Sequence, residues 1–196
     1  VEKEETLMSE AYKIDWKKEL IDGKAVAMSP AANNHNRIAG NIYFLFRTYL
    51  KGKTCVPYGD NEAVFLTPKD KFVPDFMIVC DRSKIKLNGI HGAPDLVVEI
   101  LSPSTAKNDR GHKKEVYAQC GVLEYWIVNP ADMSVEVYLN DGQGRFILSN
   151  VYTLCPDWML EDMNHTEREA IATHFKCSLY DDLDISLDDI FYDLLS

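Results

Sequence analysis

The chain has 196 residues, 46% of them hydrophobic, and a formal net charge of −10. That is the size of one domain with a real core, and no apolar run nears the ~18 residues of a membrane span. The acid excess argues against a tight, sequence-independent grip on nucleic acid, which needs a basic footprint. The acid is concentrated late, in Asp181, Asp182, Asp184, Asp188 and Asp189, whereas 107–114 is locally basic, so a local phosphate-binding site stays open.

In chain order, VEKEETLMSE is acidic and polar, unlike a signal peptide, and residues 1–10 are expected to be a frayed start. The mixed stretch 14–21 leads to Asp22-Gly23, a tight-turn signal, and a strand at 24–28 completes a hairpin. Ser29-Pro30 then opens a helix. Its apolar face runs through Ile38, Ile42, Leu45, Phe46 and Tyr49. His35 lies one turn before that face, either as a polar residue of a helix start or as a group that points into a site.

Short strands are expected at 55–58 and 62–66, and a stronger one at 72–80. The last contains Pro74-Asp75, which implies an edge, a bulge or a strand start. A polar loop covers 81–94. Residues 96–101 are a short, almost purely apolar, β-branched run, read as a buried strand. A helix follows from 106 to 120, ending at Gly121, and a second strand spans 124–128. Strand, helix, strand with short links is a βαβ unit. A meander at 135–139, 146–148 and 151–154 comes next. The rest is a charged helix over 161–175, read as an insertion in a single domain of residues 1–196, and a tail with a last short helix within 185–194.

The five cysteines, Cys55, Cys80, Cys120, Cys155 and Cys177, are odd in number and widely spaced, with no CxxC pair. Neither a zinc site nor a disulfide framework follows. A reducing, cytoplasmic compartment is the expectation.

One residue does not belong in the apolar strand. Glu99 places a carboxylate where burial is costly unless the group is paired or binds a metal. Asp95 shares its strand face but lies about 13 Å away at ~3.3 Å per residue, which suits a turn or capping role. Asp75 is the better partner: if strands 72–80 and 96–101 pair antiparallel, the start of one meets the end of the other. On the following helix, Asp109, Lys113, Val116, Tyr117 and Cys120 share one face, which should pack on the sheet. Lys114 lies about 100° further round, beside Arg110, toward solvent.

Two carboxylates and a lysine suit a hard cation such as Mg²⁺, which takes oxygen ligands and keeps waters. Such an ion activates water and neutralises a phosphoryl group, and a lysine can orient that water or stabilise developing charge. The alternative is a buried Glu99–Lys113 ion pair without chemistry.

Val73-Pro74-Asp75-Phe76, the run GAPDLVVEILSPST, then Asp109, Lys113, Tyr117 and the run GVLEYWIVNP together resemble the Uma-two family of PD-(D/E)-x-K, restriction-endonuclease-like proteins. The resemblance runs from about Ile21 to the acidic tail. It implies an α/β domain, a mixed sheet flanked by helices, and it places the family's acids on Asp75 and Glu99. The in-strand lysine is replaced by Leu101. This resembles a variation in which the lysine has moved to the next helix, here Lys113. The implied function is endonucleolytic hydrolysis of phosphodiester bonds, in DNA, with Mg²⁺ (or Mn²⁺) held by Asp75, Glu99 and the backbone carbonyl of Ile100. His35, Asp95, Asp109 and Tyr117 are further candidates. A homodimer formed through strand edges of the 135–154 meander is expected. The alternative function is a non-catalytic nuclease-fold protein acting through binding or self-association, which the net charge and the displaced lysine favour.

Overall fold

In the computed structural model, which describes residues 18–28 and 30–195, strands β1 (Lys18–Ile21) and β2 (Lys24–Ala27) form the expected hairpin. Asp22 and Gly23 both adopt positive φ, 47° and 75°, as a two-residue turn matched to hairpin twist demands. The expected frayed segment 1–10, the first part of the stretch 14–21 and Ser29 lie outside the described residues.

Helix α1 (Asn33–Tyr49) starts later than Ser29-Pro30 suggests. The backbone is still extended at Ala32 and no side chain caps the helix. Its position is set by burial of Ile38, Ile42 and Phe46 against the sheet, since packing rather than local propensity stabilises most helices in proteins.

Next come β3 (Val56–Gly59), β4 (Val64–Thr67), β5 (Asp70–Phe72), β6 (Phe76–Val79), β7 (Ile85–Lys86), β8 (Gly89–His91) and β9 (Leu96–Ile100). The strand expected over 72–80 is thus two strands in two sheets. Phe72 pairs with Val64, whereas Phe76 pairs with Gly59 and Val98. The chain crosses between sheets at Val73-Pro74-Asp75, where proline has no N–H to give a ladder. The loop expected over 81–94 contains β7 and β8, which extend the smaller sheet.

The helix expected over 106–120 is broken at Gly111 into α2 (Ala106–Arg110) and α3 (His112–Cys120). A Cβ at Gly111 would stand 2.8 Å from the Lys107 carbonyl oxygen, so the break accepts glycine alone. Strands β10 (Glu124–Asn129), β11 (Ser134–Asn140) and β12 (Phe146–Thr153) follow. The main sheet has the order β12-β11-β10-β9-β6-β3. Only β9 and β10 run parallel in it, joined by α2 and α3 as the expected βαβ unit.

The charged helix expected over 161–175 is instead α4 (Asp157–Glu161) and α5 (His165–Glu169), followed by β13 (His174–Lys176). Asn164 caps α5 in a reciprocal capping box with Glu167, and the capping residue interrupts the helix. Phe175 is drawn into the core. It meets the Trp126 ring at 5.0 Å and stacks on Tyr152 at 4.6 Å. β14 (Asp184–Ser186) pairs with β13, and α6 (Leu187–Ile190) docks on α1 as expected of the tail.

Both faces of the main sheet are covered, as a parallel pair requires. Leu96, Val98 and Ile100 face α1 and the C-terminal segment, while Val97 faces Val116 and Tyr117 of α3. By strand alternation Glu99 shares the α3 side. Among the described residues no helix is long and apolar enough to cross a membrane.

Two features correct the sequence reading away from the site. Cys55 and Cys80 are bonded, with Sγ atoms 2.07 Å apart, because the Val56–Val79 pairing brings the flanking residues opposite. That overturns the expectation of no disulfide and removes the premise for a reducing compartment. Glu124 is a further fully buried carboxylate. It accepts from Trp126 Nε1 at 2.6 Å and from the Ser178 backbone N–H at 2.6 Å, which ties the C-terminal segment to the sheet.

Candidate active site

The crossing at Val73-Pro74-Asp75 delivers Asp75 to the end of β9. Pairing of β6 with β9 is antiparallel, as expected, and its last registered pair is Phe76–Val98. Continued by one residue, that register sets Asp75 opposite Glu99. The Ile100 backbone N–H donates to Asp75 Oδ2 at 2.6 Å. This contact fixes one carboxylate oxygen and leaves Oδ1 toward α1.

Lys113, on the inward face of α3, is buried and reaches Glu99 Oε1 at 2.6 Å, Glu19 Oε1 at 3.0 Å and Asp109 Oδ1 at 3.3 Å. The Tyr117 hydroxyl donates to Glu99 Oε1 at 2.9 Å, and the Val73 N–H to Glu19 Oε1 at 2.9 Å. Tyr125 donates to the Asp109 carbonyl at 2.9 Å and so steadies α2. Asp75, Glu99 and Lys113 therefore come together, joined by Asp109 and Tyr117.

Asp95 does not join them. It stands at the other end of β9, accepting the Cys80 N–H at 2.7 Å, the capping role expected of it. His35 does join them. Its Nε2 lies 3.1 Å from Asp75 Oδ1, yet the contact lacks hydrogen-bond geometry, and both ring nitrogens are buried without a hydrogen-bond partner within the described residues. Asp109 Oδ1 is likewise buried without a hydrogen bond.

Glu19 went unnoticed in the sequence. It occupies the inward position of β1 two residues before buried Ile21. That period-2 slot normally holds an apolar residue, so the alternation was the signal that could have found it.

These side chains line a cavity of ≈ 430 Å³ at the end of β9, rimmed by the loop after β9 and by the segment between β2 and α1. Among the described residues its lining holds Glu19, Asp60, Asp75, Glu99 and Asp109 against one cation, Lys113. The electrostatics follow from that imbalance. Burial pushes the Asp75 carboxyl up to about 7, against the opposing Ile100 N–H and Lys113. Burial likewise raises Glu99 well above the carboxylate range, with Lys113 opposing and the neighbouring acids adding to it. Asp109 is raised for the same first reason. For Lys113 burial acts to lower the pKa, but Glu99, Glu19 and Asp109 override it and hold the ammonium charged. Burial lowers His35, opposed by Asp60 and Asp109, so the imidazole is neutral.

Among the described residues no three His, Cys, Asp or Glu side chains already surround one point as metal ligands. The donor set still fits a divalent ion of the Mg²⁺ type, which needs one or two carboxylates and keeps waters. Asp75 Oδ1 is available, Glu99 Oε2 is not the oxygen that Lys113 and Tyr117 hold, and a cation would favour ionisation of the acids that burial raises.

The basic run is largely engaged inside the protein. Arg110 pairs with Glu136, Lys113 is buried, and Lys114 does not project to solvent as expected but covers the Tyr138 ring, 3.4 Å from its centroid. Lys107 is exposed.

A mixed sheet with a βαβ core, two acids on adjacent strand ends and a lysine on the crossover helix defines a nuclease-like protein of the restriction-endonuclease-like fold. The Uma2 family, described as "Putative restriction endonuclease", matches residues 8–172, and the chain belongs to that family. It is 31% identical over 136 residues to the uncharacterized protein slr1290 of Synechocystis sp., covering 68% of this chain and 72% of the relative. With sll1609 of the same organism the identity is 25% over 139 residues, covering 69% and 78%. The crystal structure of a "putative nuclease belonging to DUF820" from Anabaena variabilis superimposes with a TM-score of 0.65 at 19% identity, covering 89% of each chain. That likeness shows the fold.

Proposed function

We propose that the protein is a divalent-metal-dependent endonuclease that hydrolyses phosphodiester bonds in DNA, with Asp75 and Glu99 as metal ligands, assisted by the Ile100 carbonyl, and Lys113 beside them. The crowding of acids in the cavity carries this reading: among the described residues five carboxyl groups share one lysine, burial pushes the pKa of Asp75, Glu99 and Asp109 up, and a cation would let them ionise. A bound Mg²⁺ or Mn²⁺ supplies that charge and lowers the pKa of its water.

The protein's own residues divide the remaining work. The Ile100 N–H holds Asp75 Oδ2, so that Oδ1 keeps its aim. Tyr117 and Lys113 hold Glu99 Oε1. Lys113 is kept protonated by three carboxylates, so it cannot take a proton from water. It serves as a fixed positive charge and donor for the attacking water or the scissile phosphate.

Purified protein should nick supercoiled plasmid in Mn²⁺. Glu99→Gln keeps the shape and the Tyr117 hydrogen bond, and should slow nicking by at least about 100-fold, the scale of losing one fixed electrostatic contact. Nicking by the variant at the wild-type rate would rule Glu99 out.

The second reading, a non-catalytic nuclease-fold protein, is favoured by the engagement of Arg110 and Lys114 with Glu136 and Tyr138. It predicts no nicking by the wild-type protein with either ion.

A homodimer remains part of the proposal. β12 is an edge strand of eight uncharged residues, with Ile147, Leu148 and Val151 exposed, and natural edges of that kind are normally protected. Sedimentation should give twice the 22.3 kDa chain mass. Glu substitution at Ile147 should return it to the monomer, and a wild-type monomer at micromolar concentration would remove the dimer.

A further inference from the structure

We infer that His35 is a nitrogen ligand of the same ion, and that the site therefore takes a first-row transition cation such as Mn²⁺ in preference to Mg²⁺. The inference rests on the metal-dependent reading above.

His35 and Asp75 arrive from opposite sides. His35 stands on the first turn of α1, which packs on one face of the main sheet. Asp75 stands at the crossing between the two sheets. Their nearest atoms, Nε2 and Oδ1, are 3.1 Å apart. At that distance a histidine and a carboxylate ordinarily share a hydrogen bond, and here the angles do not allow one. Two atoms that each bind one ion at about 2.1 Å, at right angles, stand about 3 Å apart. The spacing is that of neighbouring ligands rather than of a donor and its acceptor.

Two further observations point the same way. Neither ring nitrogen has a hydrogen-bond partner among the described residues, although both are buried, and such orphans are rare in native proteins. Asp109, 1% exposed at the inner wall of the cavity, has an oxygen that contacts the Lys113 ammonium at 3.3 Å but accepts no hydrogen bond. A buried imidazole without a hydrogen bond and carboxylate oxygens thus gather on one space. A cation with bound water satisfies both.

Imidazole ligates through a ring nitrogen lone pair. Nitrogen donors shift preference from Mg²⁺, which favours oxygen, toward transition cations. Pure oxygen sites also bind Mn²⁺, so the contrast between the native protein and a His35 variant is what decides.

The test titrates metal-free protein with Mn²⁺ and with Mg²⁺ by calorimetry and records pulsed electron paramagnetic resonance of the Mn²⁺ form. The native spectrum should carry nitrogen coupling from one imidazole. His35→Gln should erase that coupling and weaken Mn²⁺ at least about tenfold, on the scale known for ligand-supporting residues, with little change for Mg²⁺. An unchanged Mn²⁺ to Mg²⁺ ratio in His35→Gln, or a native spectrum without nitrogen coupling, overturns the inference. The native spectrum decides even if the variant fails to fold. Asp75→Asn serves as the separate control. If it loses both ions while His35→Gln changes nothing, the metal site stands and His35 is not in it. If the native protein binds neither ion, the metal-dependent reading fails together with the inference.

Discussion

Lys113→Met should lose both activity and about 3–5 kcal/mol of stability, the cost of leaving buried charge without its partner. Among the described residues Lys113 is the one cation within 3.3 Å of Glu19, Glu99 and Asp109, all of them buried. Methionine matches the length of the stem and fills the space, so the loss reports charge rather than a cavity. It should also depend on pH with a defined sign. Without the lysine, Glu99 and Asp109 are held protonated further above their unfolded values. Between those limits the native state binds protons that the unfolded state releases, so stability falls as pH rises. The variant should therefore approach the wild type near pH 5 and fall well below it at pH 8. Lys114→Ala is the contrast. It removes a cation from the Tyr138 ring, worth about 0.5–1 kcal/mol, and should leave nicking intact. Urea melts at the two pH values, beside a nicking assay, separate these outcomes. A Lys113→Met protein that is stable at pH 8 and nicks DNA would remove Lys113 from both roles.

What could be read in the sequence was what depends on local periodicity. Strand alternation and a buried run identified Glu99, antiparallel pairing brought Asp75 to it, and the 3.6-residue repeat put Lys113 rather than Lys114 inside. What escaped depends on contacts remote in sequence. Pro74 was noticed, but not that the chain changes sheets there. Glu19 sits 80 residues before Glu99 and meets it through the shared Lys113. Cys55 and Cys80 are 25 residues apart on strands whose pairing no spacing reveals. The break at Gly111 uses a backbone shape in which a Cβ would meet the Lys107 carbonyl, which an averaged helical pattern conceals. In the stretch 161–175 the charge pattern favoured a helix, and burial of Phe175 against Trp126 and Tyr152 converted its end into a strand.

Asp75→Asn should make the metal-free protein more stable at pH 8 while abolishing Mn²⁺-dependent nicking. Burial holds the native Asp75 carboxyl up at about 7, whereas an unfolded aspartate titrates near 4. Between those values the folded protein keeps a proton that the unfolded chain gives up, so this group makes stability fall as pH rises through that window. Above about 7 the folded protein carries the whole penalty, about 4 kcal/mol for the gap between about 4 and about 7 at 1.36 kcal/mol per pH unit. Asparagine has no proton to lose, and its side-chain oxygen still accepts the Ile100 N–H that Asp75 Oδ2 accepts. The variant should thus match the wild type near pH 4 and exceed it at pH 8, both measured by urea melts in chelator. Adding Mn²⁺ should raise the wild-type melting temperature, because the ion binds the folded state alone, and should leave the variant's unchanged. A residue kept for structure would behave in the opposite way, losing stability at both pH values. Asp75→Asn that is destabilised equally at pH 4 and pH 8 would make Asp75 a support for the end of β9 and take it out of the site.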